Sequence, residues 1–79
     1  MKIQVTQEDI DKGLRRRIDF CPVALAIRRQ SEAKVVHVGG NSIMIDKREY
    51  YMPILVQKFI TQFDLYSIGL PFQFETYQV

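Results

Sequence analysis

Two groups of residues have the types and spacing to do chemistry: a cysteine at the start of a helix and the arginines around it. Cys21 directly precedes Pro22. Proline is favoured at the first helical position, where its fixed φ suits the helix and its missing N–H has no partner to lose. The thiol then falls at the N-cap, where the positive end of the helix dipole favours the thiolate, and Arg15, Arg16 and Arg17 add to that field. The opposing reading treats Cys21 as a small apolar residue buried at a tight helix start. A cysteine nucleophile needs a base. His37, the one histidine, falls in a strand, and nothing in the spacing brings it to Cys21. The structural reading is preferred, and Cys21 is retained as a secondary candidate for a reactive thiol.

The arginines form the larger signal. Residues 12–34 carry Lys12, Arg15, Arg16, Arg17, Arg28, Arg29 and Lys34 against only Asp19 and Glu32, in a chain whose net charge is just +2. Arg15, Arg16, Arg17, Arg28 and Arg29 are candidates for a partner- or phosphate-binding surface, with the N–H groups at the Pro22 helix start as further anion donors. A pI of 8.9 falls short of the basic balance expected of a dedicated nucleic-acid-binding domain. A contact to an acidic protein fits the same residues.

Other constellations lead away from catalysis. Tyr50, Tyr51, Tyr66 and Tyr77 suit interface anchors, but no RNP-like pattern interleaves them with basic residues. Gly39-Gly40-Asn41 runs into a strand without the Lys-Ser/Thr pair of a P-loop, and reads as a hairpin turn. Glu8, Asp9 and Asp11 crowd a helix start, where the dipole favours acids, while Asp46 and Glu49 flank a turn. No nucleophile–base–orienter set, metal-ligand spacing or cofactor motif is present. The expectation is a protein that is not an enzyme and takes no cofactor or metal.

The elements that must position these residues follow from periodicity. Ile3 and Val5 alternate with polar residues, as in a half-buried strand. Thr6 reads as an N-cap with Asp9 at the capping-box position, and Gly13 ends that short helix. Cys21–Gln30 is the clearest helix, with Phe20, Val23, Ala24 and Ile27 as its apolar stripe. Val36–Val38, Ile43–Ile45 and Glu49–Met52 form a three-stranded meander, its turns at Gly39-Gly40-Asn41 and Asp46–Glu49. Pro53 opens a helix running to about Tyr66, and Phe72–Glu75 is a last strand with its phenylalanines inward. The predicted order is β-α-α-β-β-β-α-β, an α+β fold with a mainly antiparallel sheet of about five strands and helices packed on one face. Seventy-nine residues, 47% of them apolar, make one domain over 1–79. No apolar run reaches the length of a membrane span, and Met1-Lys2-Ile3-Gln4-Val5 lacks a signal peptide's hydrophobic stretch. With a single cysteine, a cytoplasmic setting is expected.

Cys21-Pro22-Val23-Ala24-Leu25-Ala26 resembles the helix motif of a family of short, largely uncharacterised phage and bacterial proteins, Cys-Pro-Val/Ile-Ala-Leu-Ala. The similar frame takes in Ile3-x-Val5-Thr6 with Ile10 and Gly13, Ile43-x-Ile45-Asp46 and Tyr51-x-Pro53. It continues through Val56-x-x-Phe59-Ile60-x-x-Phe63-Asp64 and closes with Pro71-Phe72-x-Phe74. These are mostly core and turn positions. Where relatives place a second polar or cysteine residue before the Cys-Pro step, Arg17-Ile18-Asp19-Phe20 offers no thiol, so no dithiol or metal role carries over. The resemblance implies a viral or mobile-element accessory protein. The function expected is a small non-catalytic binding module that binds or modulates a host protein. The alternative is nucleic-acid or phosphate-ligand binding through the basic segment 12–34. No membrane partner is expected, and a homodimer through a free strand edge in Phe72–Val79 is a further expectation.

Overall fold

The protein, described over residues 1–79 by a computed structural model, begins with the strand that alternation requires. β1 (Lys2–Val5) buries Ile3 and Val5 and exposes Lys2 and Gln4. α1 (Gln7–Lys12) starts from a complete capping box: the Thr6 hydroxyl accepts from the Asp9 N–H, and the Asp9 carboxylate accepts from the Thr6 N–H at 2.9 Å. Gly13 ends it as expected, although its φ of −69° is open to any residue. Space is what requires glycine here, since a Cβ would lie 2.5 Å from the Pro22 ring.

α2 (Pro22–Ser31) places Pro22 in its first turn and Cys21 at the N-cap. Val23, Ala24, Ala26 and Ile27 are fully buried, and the two alanines let the backbone approach its neighbours closely. Phe20 departs from the expected stripe: it lies before the helix and is 42% exposed.

The meander is β2 (Val36–Val38), β3 (Ile43–Ile45) and β4 (Arg48–Tyr50), all antiparallel. β4 starts and ends earlier than the predicted 49–52 because its turn is tighter. Ile45 pairs directly with Arg48, and the two turn residues, Asp46 and Lys47, both have positive φ, as a two-residue hairpin of the favoured twist demands. Asp46 Oδ1 also accepts from the N–H groups of Lys34 and Val35, fastening the chain between α2 and β2 to this turn. α3 (Ile54–Tyr66) follows Pro53 and buries Val56, Phe59 and Phe63. β5 (Phe72–Glu75) then pairs antiparallel with β1, burying Phe74 and half-burying Phe72.

The fold is α+β in the predicted order, with the five strands divided into a β1–β5 pair and a β2–β3–β4 sheet. The chain beyond β5 links the two. Tyr50 bridges to Gln78, the Tyr51 N–H donates to the Tyr77 carbonyl, and the Val79 N–H donates to the Glu49 carbonyl. One apolar core serves both sheets. α2 reaches both outer strands: Gln30 bonds the N–H and the C=O of Gln4 on β1, and Arg28 bonds the Val36 carbonyl on β2. No helix is long and apolar enough to cross a membrane.

Candidate interaction surface of the 13–21 loop

The loop between α1 and α2 carries three of the five candidate arginines, and backbone bonds hold it in place. The Leu14 N–H donates to the Phe20 carbonyl at 2.8 Å, which closes the loop on itself. The Ile18 carbonyl accepts from the Val38 N–H at 2.7 Å, so the loop runs along the outer edge of β2. The Asp19 carbonyl accepts from Arg28 at 2.8 Å.

The five arginines do not form one patch. Arg15 donates through Nε and Nη2 to the carbonyls of Asp64 and Leu65, at 2.9 and 3.1 Å. These belong to the last turn of α3, whose carbonyls lack helical partners, so Arg15 acts as a cation at a helix C-terminus. Arg16 sits at φ 59°, and its N–H donates to the Asp64 carboxylate at 2.9 Å. Its guanidinium makes no hydrogen bond or ion pair. Arg29 lies elsewhere, donating to Asp9 at 2.7 Å and to the Gln4 carbonyl at 3.1 Å, and so ties α2 to α1 and β1. Burial pushes the Asp9 carboxyl up, but hydrogen bonds from Arg29 and Thr6 outweigh it and hold the pKa below the usual Asp value.

Arg16, Arg17 and Arg28 remain on the loop side. Arg17 pairs with Asp19 at 3.3 Å. The guanidiniums of Arg17 and Arg28 lie 5.3 and 5.2 Å from the centroid of the Phe20 ring, within cation–π range. Ile18 beside them is 53% exposed. The arrangement is an exposed aromatic ring framed by two fixed cations, with a third cation free.

Cys21 is only 2% exposed, and its Sγ accepts from the Ala24 N–H at 3.5 Å. Burial pushes the thiol pKa up despite the helix N–H groups, and the nearby Asp64 charge adds to the rise. The thiolate that a reactive role needs is therefore disfavoured: low dielectric outweighs the N-terminal dipole at this position. A cleft of ≈ 300 Å³ opens beside it, lined by Arg16, Arg17, Thr61 and Asp64 among others. His37 is exposed on β2 and makes no hydrogen bond to Cys21. No set of three His, Cys, Asp or Glu side chains is gathered as a metal site.

Sequence reasoning missed Asp64 and Phe20. Asp64 gave no signal, lying about fifty positions from its partners. Phe20 gave one in its place directly before Cys-Pro, since a residue preceding the N-cap need not join the helix stripe. No family model, curated protein or solved structure matches the chain.

Proposed function

We propose that the protein is a non-catalytic binding module that holds an acidic surface of another protein against the Phe20 loop. The observation that carries this reading is the exposed Phe20 ring beneath Arg17 and Arg28, on a loop already pinned at Leu14, Ile18 and Asp19. Arginine and aromatic side chains dominate binding hot spots, and a loop ordered in advance avoids much of the entropy cost of association. The resemblance described above supplies the setting, an accessory protein of a phage or mobile element acting on a host protein.

Binding of nucleic acid or a phosphate ligand has less to draw on. Arg15 and Arg29 are engaged with α3 and with Asp9. The three arginines left are fewer than the ~6–10 phosphate contacts that give strongly salt-dependent binding.

Affinity capture from host lysate tests the proposal, comparing the wild type with Phe20→Ala and Arg17→Ala. An acidic protein should be retained by the wild type, released as salt rises from about 50 to about 500 mM, and lost by Phe20→Ala. The expected drop in affinity for Phe20→Ala is about 30-fold, corresponding to a hot-spot loss of ~2 kcal/mol. Capture undiminished by both substitutions, or recovery of nucleic acid alone, would overturn it.

A further inference from the structure

The strand edge expected within Phe72–Val79 is engaged, with β1 along Phe72–Glu75 and with β4 at Tyr77–Val79. The feature left without a role is the cleft of ≈ 300 Å³ beside Cys21. Ile18, Val38 and Ile60 give it apolar walls, and Arg16, Thr61 and Asp64 bring polar groups to it. A few polar groups set among apolar walls is the usual makeup of a small-molecule site, and the volume falls at the low end of the ~300–1,000 Å³ such sites span. The ligand it fits is small.

Two opposite charges line this cleft without meeting. The Arg16 guanidinium has no partner in the chain, and Asp64 uses only Oδ1, which accepts from the Arg16 N–H at 2.9 Å. No ion pair joins the two side chains. Arg16 is nonetheless fixed at its base. Its φ of 59° is left-handed backbone, which a residue with a side chain adopts at an energetic cost, and the bond to Asp64 offsets that cost. Arg15 beside it is tied to the carbonyls of Asp64 and Leu65. Backbone held in this region clusters at ligand clamps, and a clamp fixed in advance lowers the ordering cost of binding.

We infer that the cleft binds a free α-amino acid with an apolar side chain. Its carboxylate accepts from Arg16 and the Thr61 hydroxyl, its ammonium donates to Oδ2 of Asp64, and its side chain lies on the apolar walls. A simple anion is repelled by Asp64 and a simple cation by Arg16, whereas a zwitterion is complementary to both. The end of a peptide does not serve, because the amide bond has removed one of the two charges. Neither Arg16 nor Asp64 contacts the Phe20 ring, so the site stands or falls independently of the binding reading above.

Amide NMR of the intact protein, titrated with L-valine, L-leucine and L-isoleucine to about 10 mM, tests the inference. At least one of them should shift Arg16, Gly39, Gly40 and Thr61, which line the cleft, with a Kd of about 1 mM or below. Blocking either charge, in the N-acetyl form or in the amide, should weaken binding to the wild type at least about tenfold. The variants separate the two contacts. Arg16→Gln should bind the amino acid and its amide alike. Asp64→Asn keeps an acceptor for the Arg16 N–H and should bind the amino acid and its N-acetyl form alike. A wild type whose cleft amides respond to none of the three amino acids overturns the inference, and so does an N-acetyl form or an amide that it binds as tightly as the free amino acid.

Discussion

Asp9 illustrates how one side chain joins three elements. Its carboxylate closes the capping box of α1 and receives Arg29 of α2, which also bonds the Gln4 carbonyl of β1. Because its pKa is lowered in the folded chain, the stability it contributes is fully present above the unfolded Asp value of ~3.9 and is lost as pH falls through the folded value. Asp9→Asn should cost about 1.5–3 kcal/mol at pH 7, the range for hydrogen bonds to charged groups. It should also flatten the loss of stability below about pH 4, as measured by urea unfolding across a pH series. A wild-type slope in the variant would show that Asp9 does not drive the acid sensitivity. The capping box was legible because Thr6 and Asp9 are three residues apart. Arg29 was not, because its partner lies twenty positions away and only packing of α2 on α1 brings the two together.

At the scale of elements, local signals placed the helices and turns, and long-range bonds decided what the polar residues do. Pro22 and Pro53 marked the starts of α2 and α3, and the alternation of Val36–Val38 and Ile43–Ile45 marked the meander, since these depend on neighbours in the chain. The five arginines read as one surface because charge in a sequence carries no direction. Folding sends Arg15 to α3 and Arg29 to Asp9 and leaves Arg17 and Arg28 at Phe20. Asp46 is the side chain on which the joint between α2 and the meander depends, through positive φ and two backbone donors. Asp46→Ala should therefore cost about 1–2 kcal/mol, by giving up two exposed hydrogen bonds and placing alanine at positive φ. That is a fall in Tm of roughly 4–8 °C per kcal/mol for a domain this small. Asp46→Asn keeps an acceptor and tolerates positive φ, so thermal unfolding should find it within about 1 kcal/mol of wild type.

Across the whole molecule, the last segment couples the two sheets, pairing first with β1 and then, at Tyr77–Val79, with β4. The division into two sheets was not legible in the sequence, where alternation reports a strand without naming its partner. Tyr77 also stacks on Tyr51, with ring centroids 5.1 Å apart. Removing residues 77–79 should cost about 1–3 kcal/mol, from two backbone bonds and the aromatic pair. Amide exchange should quicken in β4 ahead of β1, and equal protection in both strands would deny the coupling. The Met1–Thr76 pairing, with a separation of 75 positions, also sets an order of events during synthesis. Chains emerge at about 5–20 residues per second, so α2 and the meander can settle while β1 waits for β5, which follows them in the chain. Until then Ile3 and Val5 lack the strand they pair with, and nascent-chain interactions at the ribosome should concentrate on β1.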